Sequence, residues 1–291
     1  MDSGGLFGVS VVLLTMGNRS DSLDEAIGSI HLQKNCITEI IVVWNGTEAD
    51  HDVSVDRHIA LDSNIGIPAG RNLGASEASH DLILFLDDDA KILEPDLLAN
   101  VGAKFLANPS LGVVGFRIID EQGLTSRRHV PRLGSRSKHV SGAAACFLGG
   151  ACIVRKDAWN GVKGYSGELF YGMEETDLSW RLVDAGWSIF YDANAMVEHP
   201  RVEPARHQEG IRLTARNRMW IARSNLPTIL IPVYAFNWLV ISILRNLRST
   251  EALRAIFTGF RQGLSDCPLQ RRSMSWKTVI TLCRIGRPPV I

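Results

Sequence analysis

The chain has 291 residues, 45% hydrophobic and 21% charged, which excludes a disordered protein and allows one large α/β domain or two smaller ones. Its formal net charge of +0 hides an asymmetry: residues 1–200 hold 16 Lys and Arg against 27 Asp and Glu, whereas residues 201–291 hold 15 against 4. An acidic body with a basic tail directs that tail toward anions, whether lipid headgroups, phosphates or the body itself. The five cysteines are scattered without CxxC spacing, which argues against a disulfide framework or a zinc site and for a reducing compartment. No basic n-region and long apolar h-region precede Ser10, so no signal peptide is read and a cytoplasmic protein is expected.

Val9–Leu14 is short, β-branched and apolar, the mark of a buried strand. The polar loop Thr15–Arg19 follows, and Ser20 or Asp21 could cap a helix over Leu23, Ala26, Ile27 and Ile30, which recur at helical spacing. Glu39–Trp44 reads as a second strand stopped by Asn45-Gly46, and Ile59–Leu61 as a short third. Asn64–Gly70 reads as a glycine-rich loop, with Arg71–Ala75 opening the next helix. Strand alternating with helix predicts a mainly parallel sheet with crossover helices.

Leu82–Leu86 is an apolar run that stops in Asp87, Asp88 and Asp89. Buried parallel strands carry such continuous runs, and ligands of open α/β sheets sit just beyond their carboxyl ends. Three adjacent acids repel one another and call for a cation, most simply a hard divalent ion; a solvated turn is the plain alternative. Beyond them the sequence predicts a helix from Pro95 to Ala107, a strand over Val113–Ile119 and a basic loop from Asp120 to Ser141 bearing Arg127, Arg128, Arg132, Arg136 and Lys138. That loop is either solvated or ordered over an anion. A strand opened by Gly149-Gly150, an acid-headed helix from Glu174 to Gly186, a strand over Trp187–Tyr191 and a segment from Asn194 ending in His199 complete the body.

Residues 211–226 are Arg-rich and helical, and Thr228–Leu244 is the most apolar stretch. At fewer than the roughly 20 residues a span needs, it reads as an interfacial or buried helix. Arg245, Arg248, Arg254 and Arg261 follow, so this extension either touches a membrane peripherally, at the inner face of the plasma membrane, or packs on the acidic body.

Taken in order, the T-x-x-x-R after the first strand, N-I-G-I-P-A-G-R-N-L-G, the D-D-D strand end, G-G-A-C-I-V-R and E-E-T-D-L-S-W-R-L-V-D-A-G-W resemble a bacterial-type family 2 glycosyltransferase of the GT-A fold, over about residues 8–226. The resemblance implies a GT-A domain over residues 1–226 and a helical extension over 227–291. It also implies Mg²⁺ or Mn²⁺, a nucleotide-diphosphate sugar donor, and a glycan, lipid-linked or small-molecule acceptor, with no nucleic acid. On the donor side it marks Thr15, Arg19, Asn45, Arg71 and Asp87, with Asp89 as the direct metal ligand, Asp87 nearer the ribose, and His199 as a ligand or merely a hydrogen-bonded strand-end group. On the acceptor side it marks Glu175 as general base, with Glu174 as its rival and Asp177 nearby, since the pair here is Glu-Glu where relatives carry Glu-Asp. Arg71 has the alternative of a surface salt bridge, and Asp177 with Arg181 that of a helix-stiffening i,i+4 pair. Trp44-Asn45 replaces the acid that follows the second strand in many relatives, and Asp88 has no assigned role. A sugar-phosphate nucleotidylyltransferase and a non-catalytic nucleotide-sugar-binding module are the rival readings.

Overall fold

The computed structural model describes residues 6–126, 129–131, 137–201 and 209–291. Arg127, Arg128, Arg132 and Arg136 of the basic loop lie outside the described residues.

Strand β1 (Phe7–Thr15) pairs in parallel with β2 (Cys36–Asn45) on one side and β4 (Leu82–Asp87) on the other, and β3 (Arg57–Leu61) extends the sheet beyond β2. The rest is mixed. β8 (Ala151–Arg155) runs antiparallel to β4 and to β6 (Leu111–Ile119), and β9 (Ser188–Glu198) runs parallel to β6. Two short strands, β5 (Lys91–Ile92) and β7 (Gly142–Ala143), add antiparallel to β9, giving the order β3-β2-β1-β4-β8-β6-β9-β5 with β7 off this path.

The uninterrupted apolar runs of β1 and β4 follow from burial on both faces. Val9, Val11, Leu13, Leu84 and Leu86 face one core with α1 (Ser20–His31) and α3 (Leu97–Ala107), while Val12, Ile83 and Phe85 face a second with α5 (Glu174–Asp184). The chain passes from β1 outward through β2 and β3, then returns to place β4 on β1's other side. That reversal makes the carboxyl ends of β1 and β4 the topological switch point, with Leu14 in register with Asp87.

Several local expectations change. Residues Ile67–Gly70 are not loop but the first turn of α2 (Ile67–Ser76), with Pro68 in the turn where its missing N–H costs nothing. Gly66 precedes it at φ +88°, where a Cβ would lie 2.5 Å from the Phe170 carbonyl oxygen; that oxygen accepts from Ile67 N at 2.9 Å. Neither Ser20 nor Asp21 caps α1, which starts at Ser20 with no side-chain cap. The helix α4 (Lys156–Val162), β5 and β7 were not foreseen, being too short to show a period. Residues 188–198 form one strand, not two segments: a bulge between the pairs Phe116–Asp192 and Arg117–Met196 absorbs the polar stretch that looked like a break.

The C-terminal helices α6 (Gly210–Asn225), α7 (Leu230–Arg245), α8 (Thr250–Ser265) and α9 (Trp276–Arg284) share a third core, which also takes Leu169 and Trp180 of the body. Among the described residues no helix is long and apolar enough to cross a membrane. The join to the body is polar at one point. Asn217, on the buried face of α6, donates from its amide to the carbonyls of Leu169 (2.8 Å), Tyr171 (3.0 Å) and Gly172 (2.8 Å). This grip holds a loop in which Phe170 (φ +62°) and Met173 (φ +76°) adopt left-handed backbone unusual for their side chains. Asn217→Ala should leave three carbonyls, that of Leu169 buried and those of Tyr171 and Gly172 part-buried, without that donor and cost about 1–3 kcal/mol, read as a lowered denaturant midpoint in chemical unfolding.

Candidate active site

The three acids sit where β4 ends. Asp88 and Asp89 are buried, at 4% and 5% exposure, while the Asp87 side chain is 37% open. β5 turns back from them to pair with β9, Lys91 opposite Glu198, so His199, the residue just past the end of β9, falls beside Asp89. Its Nε2 lies 3.2 Å from Asp89 Oδ1 and 3.5 Å from Asp87 Oδ2. On the other side of the ring, Nδ1 is 2.9 Å from the Pro200 carbonyl oxygen, which can only accept, so Nδ1 carries a proton and Nε2 is turned to the acids.

Asp87, Asp89 and His199 each offer one ligand atom, all within 4.8 Å of one another. Two carboxylate oxygens and an imidazole nitrogen freed by its second-side hydrogen bond are a donor set that fits Mn²⁺ or Mg²⁺. Burial works against a charged His199, but its hydrogen bonds to Asp87 and Asp89 outweigh burial and push it up to about 10. Burial likewise opposes ionisation of Asp87, yet the His199 hydrogen bond and the Arg71 charge hold it below the ordinary carboxylate range.

Asp88 acquires a place. Burial pushes it up to about 6, against the pull of Arg19, whose Nη1 lies 2.9 Å from its Oδ1, and of the Thr15 hydroxyl. Arg19 Nη1 also reaches Asp89 Oδ2 at 2.5 Å. One guanidinium from the loop after β1 thus spans the second and third acids and ties that loop to β4.

Arg71 does the same for the first acid. It is buried in α2, not on the surface, with Nη2 2.7 Å from Asp87 Oδ1 and Nη1 3.9 Å from Glu175 Oε1. Beside it Asn72 exchanges two hydrogen bonds with the Tyr165 backbone, fixing α2 against the chain that leads to α5. Gly149 and Gly150 leave room for this meeting. A Cβ on Gly150 would lie 2.0 Å from Asp87 Oδ2, and one on Gly149 2.2 Å from Arg71 Nη1 and 2.7 Å from Glu175 Oε1.

The acids of α5 have separate environments. Glu175 is partly open (24%), and its Oε1 accepts from Gly149 N at 3.2 Å. Burial raises it, with Arg71 pulling the other way. Glu174 is buried at 4%; burial and the Glu175 charge raise it further, and its Oε2 has no hydrogen-bond partner among the described residues. Asp177 is turned inward: its carboxylate accepts from Arg181 Nη2 (2.6 Å), Ser166 (2.8 Å) and Asn225 of α6 (2.7 Å). Asn45 is also engaged within the protein, bonding Asn64 at 3.0 Å and accepting from Ile65 N at 2.9 Å, so that it shapes the loop ahead of α2.

At the carboxyl ends of β1 and β2 a cavity of about 110 Å³ is lined by Thr15, Trp44, Glu48 and Asp50. Glu48 and Asp50 are acids that the sequence reading passed over, because they follow Trp44-Asn45 by a few residues instead of occupying its place. Asn217 was missed too; its only signal was a polar residue on the buried stripe that Leu213, Trp220 and Ser224 mark along α6.

The Glycosyl transferase family 2 model matches residues 10–160, just over half of the chain. The chain belongs to glycosyltransferase family 2. It is 24% identical over 200 residues to the poly-beta-1,6-N-acetyl-D-glucosamine synthase of Staphylococcus aureus, a match covering 63% of this chain and 48% of that protein. The chain therefore spans about half the length of that relative. Among solved structures it resembles GalNAc-T7 with UDP, GalNAc and Mn²⁺ (TM-score 0.64, 12% identity, 91% of this chain and 57% of that one). It also resembles S. aureus TarS 1-349 in complex with UDP-GlcNAc (TM-score 0.61, 14% identity, 88% and 81%). At such identities the likeness is one of fold, and the fold of this family 2 chain is GT-A.

Asp177→Ala should strip the partner from the buried Arg181 guanidinium and from Asn225, costing about 3 kcal/mol. Thermal unfolding of the variant beside the parent chain checks this, and an unchanged midpoint would contradict it.

Proposed function

We propose that the chain transfers a sugar from a nucleoside-diphosphate sugar to an acceptor hydroxyl in one displacement that inverts the anomeric centre. One observation carries this reading. Arg71 joins Asp87, at the end of β4, to Glu175, at the start of α5, so the acids suited to a donor diphosphate and the carboxylate suited to an acceptor share one cleft.

Asp87, Asp89 and His199 would hold a divalent ion, which when bound neutralises charge developing on the departing diphosphate. Mn²⁺ accompanies UDP in the GalNAc-T7 structure, which supports the same pairing here. The base of the donor nucleotide would lie in the cavity lined by Thr15, Trp44, Glu48 and Asp50, beyond the first two strands. Arg71 would face the diphosphate. Glu175, partly open and raised by burial toward neutrality, takes the acceptor proton as the acceptor oxygen bonds to the anomeric carbon. The bond from that carbon to the diphosphate oxygen breaks, and the diphosphate leaves with the electron pair. Glu174, buried behind Glu175, is the poorer candidate for base; Asp177, engaged by three side chains, positions α5. The same convergence of acids disfavours a module that only binds nucleotide sugars.

The partner of the extension is also part of this reading. Ile229, Val233, Phe236, Val240 and Leu244 recur every three or four residues and are exposed, forming an apolar row along α7. Arg245, Arg248, Arg254 and Arg261 are exposed around it. Apolar row and basic rim together suit an anionic lipid surface, which would bring a cell-envelope or lipid-linked acceptor within reach.

A thermal-shift screen of nucleotide sugars with Mn²⁺ or Mg²⁺ identifies the donor, because a ligand of the folded state raises its stability. With that donor, Glu175→Gln should lower turnover on the order of 10²- to 10⁴-fold while sparing donor binding, whereas Asp89→Ala should abolish the metal-dependent shift. Full turnover in the first variant, or an unaltered shift in the second, would refute the assignment concerned. Co-sedimentation with phosphatidylglycerol vesicles should be salt-sensitive and fall about tenfold or more in Phe236→Glu/Leu244→Glu. Equal sedimentation of parent and variant would exclude this row as the contact.

A further inference from the structure

Tyr165 lies between α4 and α5 and is fixed by both its backbone and its ring. The backbone exchanges hydrogen bonds with Asn72, the neighbour of Arg71 on α2. The ring packs against Phe85 of β4, 6.0 Å between centroids, and edge-on to Trp159 of α4 at 5.0 Å. The hydroxyl is the exception. Tyr165 is 3% exposed, and its phenol oxygen has no hydrogen-bond partner among the described residues. A buried hydroxyl without a partner is costly, and packing alone would be served better by phenylalanine.

This hydroxyl stands where the two sides of the cleft meet. A Cβ on Gly149 would lie 2.2 Å from Arg71 Nη1, 2.7 Å from Glu175 Oε1 and 3.1 Å from the Tyr165 oxygen, so the three atoms surround one point. Arg71 Nη1 also lacks a hydrogen-bond partner among the described residues, and it stands 3.9 Å from Glu175 Oε1, too far for a hydrogen bond. A guanidinium only donates and a carboxylate only accepts, whereas a hydroxyl does both. It is therefore the group suited to link an arginine to a carboxylate across such a gap. Burial raises the phenol well above its usual range, and the Glu175 charge adds to this more than the Glu174 charge does, so the phenol keeps its proton to donate. Glu175 is the side chain with room to adjust: it is partly open, and the bond its Oε1 accepts from Gly149 N is a long 3.2 Å. Glu174 Oε2, buried and also unpaired among the described residues, is the competing acceptor.

We propose that Tyr165 is a positioning residue for Glu175: its hydroxyl accepts from Arg71 Nη1 and donates to the Glu175 carboxylate, bridging the two. With one carboxylate oxygen held by this donor and by Gly149 N, the other is left for the acceptor hydroxyl. That Glu175 is the base rests on the function proposed above; the bridge itself does not.

The test is a pair of double-mutant cycles on the full chain, read by chemical unfolding. Tyr165→Phe should raise the unfolding equilibrium constant about tenfold, because a hydrogen bond to a charged group is lost. In a Glu175→Ala background the same change should have an effect of about threefold or less, whereas in a Glu174→Ala background the effect of about tenfold should persist. A Tyr165→Phe chain as stable as the parent, or a loss cancelled by Glu174→Ala in place of Glu175→Ala, overturns the bridge. A second measurement does not need the alanine variants to fold: carboxyl carbon NMR of glutamate-labelled parent and Tyr165→Phe chains, with the Glu175 signal assigned by its loss in Glu175→Gln. Losing a donor to the ionised carboxylate should raise the proton affinity of Glu175 about tenfold and move its titration up in pH. A ring that only fills space would leave that titration where it is, and an unmoved titration overturns the proposal. No sugar is transferred in either measurement, so failure of the base assignment shows as full turnover in Glu175→Gln, and failure of the bridge shows only here.

Discussion

Everything at the cleft depends on how three adjacent carboxylates at the end of a buried strand are made tolerable. Left alone, Asp87, Asp88 and Asp89 would repel one another, and water reaches only the first of them. Each is met by a cation from a different part of the chain: Arg71 for the first, Arg19 for the second and third, and His199 between the first and third. The compensation is also a set of struts. Through Arg19 the loop after β1 is tied to β4, through Arg71 the helix α2 is tied to both β4 and α5, and through His199 the end of β9 closes the ring.

This arrangement accounts for the glycines better than flexibility does. Gly149 and Gly150 lie where Asp87, Arg71 and Glu175 converge, and any side chain there would occupy the space their charged atoms fill. Gly66 lets the chain pass close to Phe170, the loop that Asn217 grips from below. Helix α6 is therefore not an appendage to a finished domain. α6 supplies Asn217 to the loop before Glu174 and Asn225 to Asp177, so the acid-headed helix is set from both sides, by α2 through Arg71 and by α6 through these amides.

How much of this could be read from the chain alone differs by element. Long apolar runs such as Leu82–Leu86, and helical spacing such as Leu23, Ala26, Ile27 and Ile30, announce themselves because burial acts on every residue of a strand covered on both faces and on every third to fourth residue of a helix. The D-D-D strand end, the Arg71 helix and the Glu-Glu helix were visible for the same local reason, as acids placed where packing has no use for them. The fold class, the strand whose end carries the acids and the family resemblance were thus determined by sequence. Only tertiary structure decided which acids face the cleft. Glu175 opens toward Arg71 while Glu174 and Asp177 turn inward, because orientation depends on Gly149, Ser166 and Asn225, residues 11 to 48 positions away from the acids they bond. It also decided that His199 meets Asp89, through the two-residue strand β5, and that Tyr165 meets Arg71 and Glu175 at all. Contacts between distant residues leave no period in the sequence; they exist only once the sheet and helices have packed.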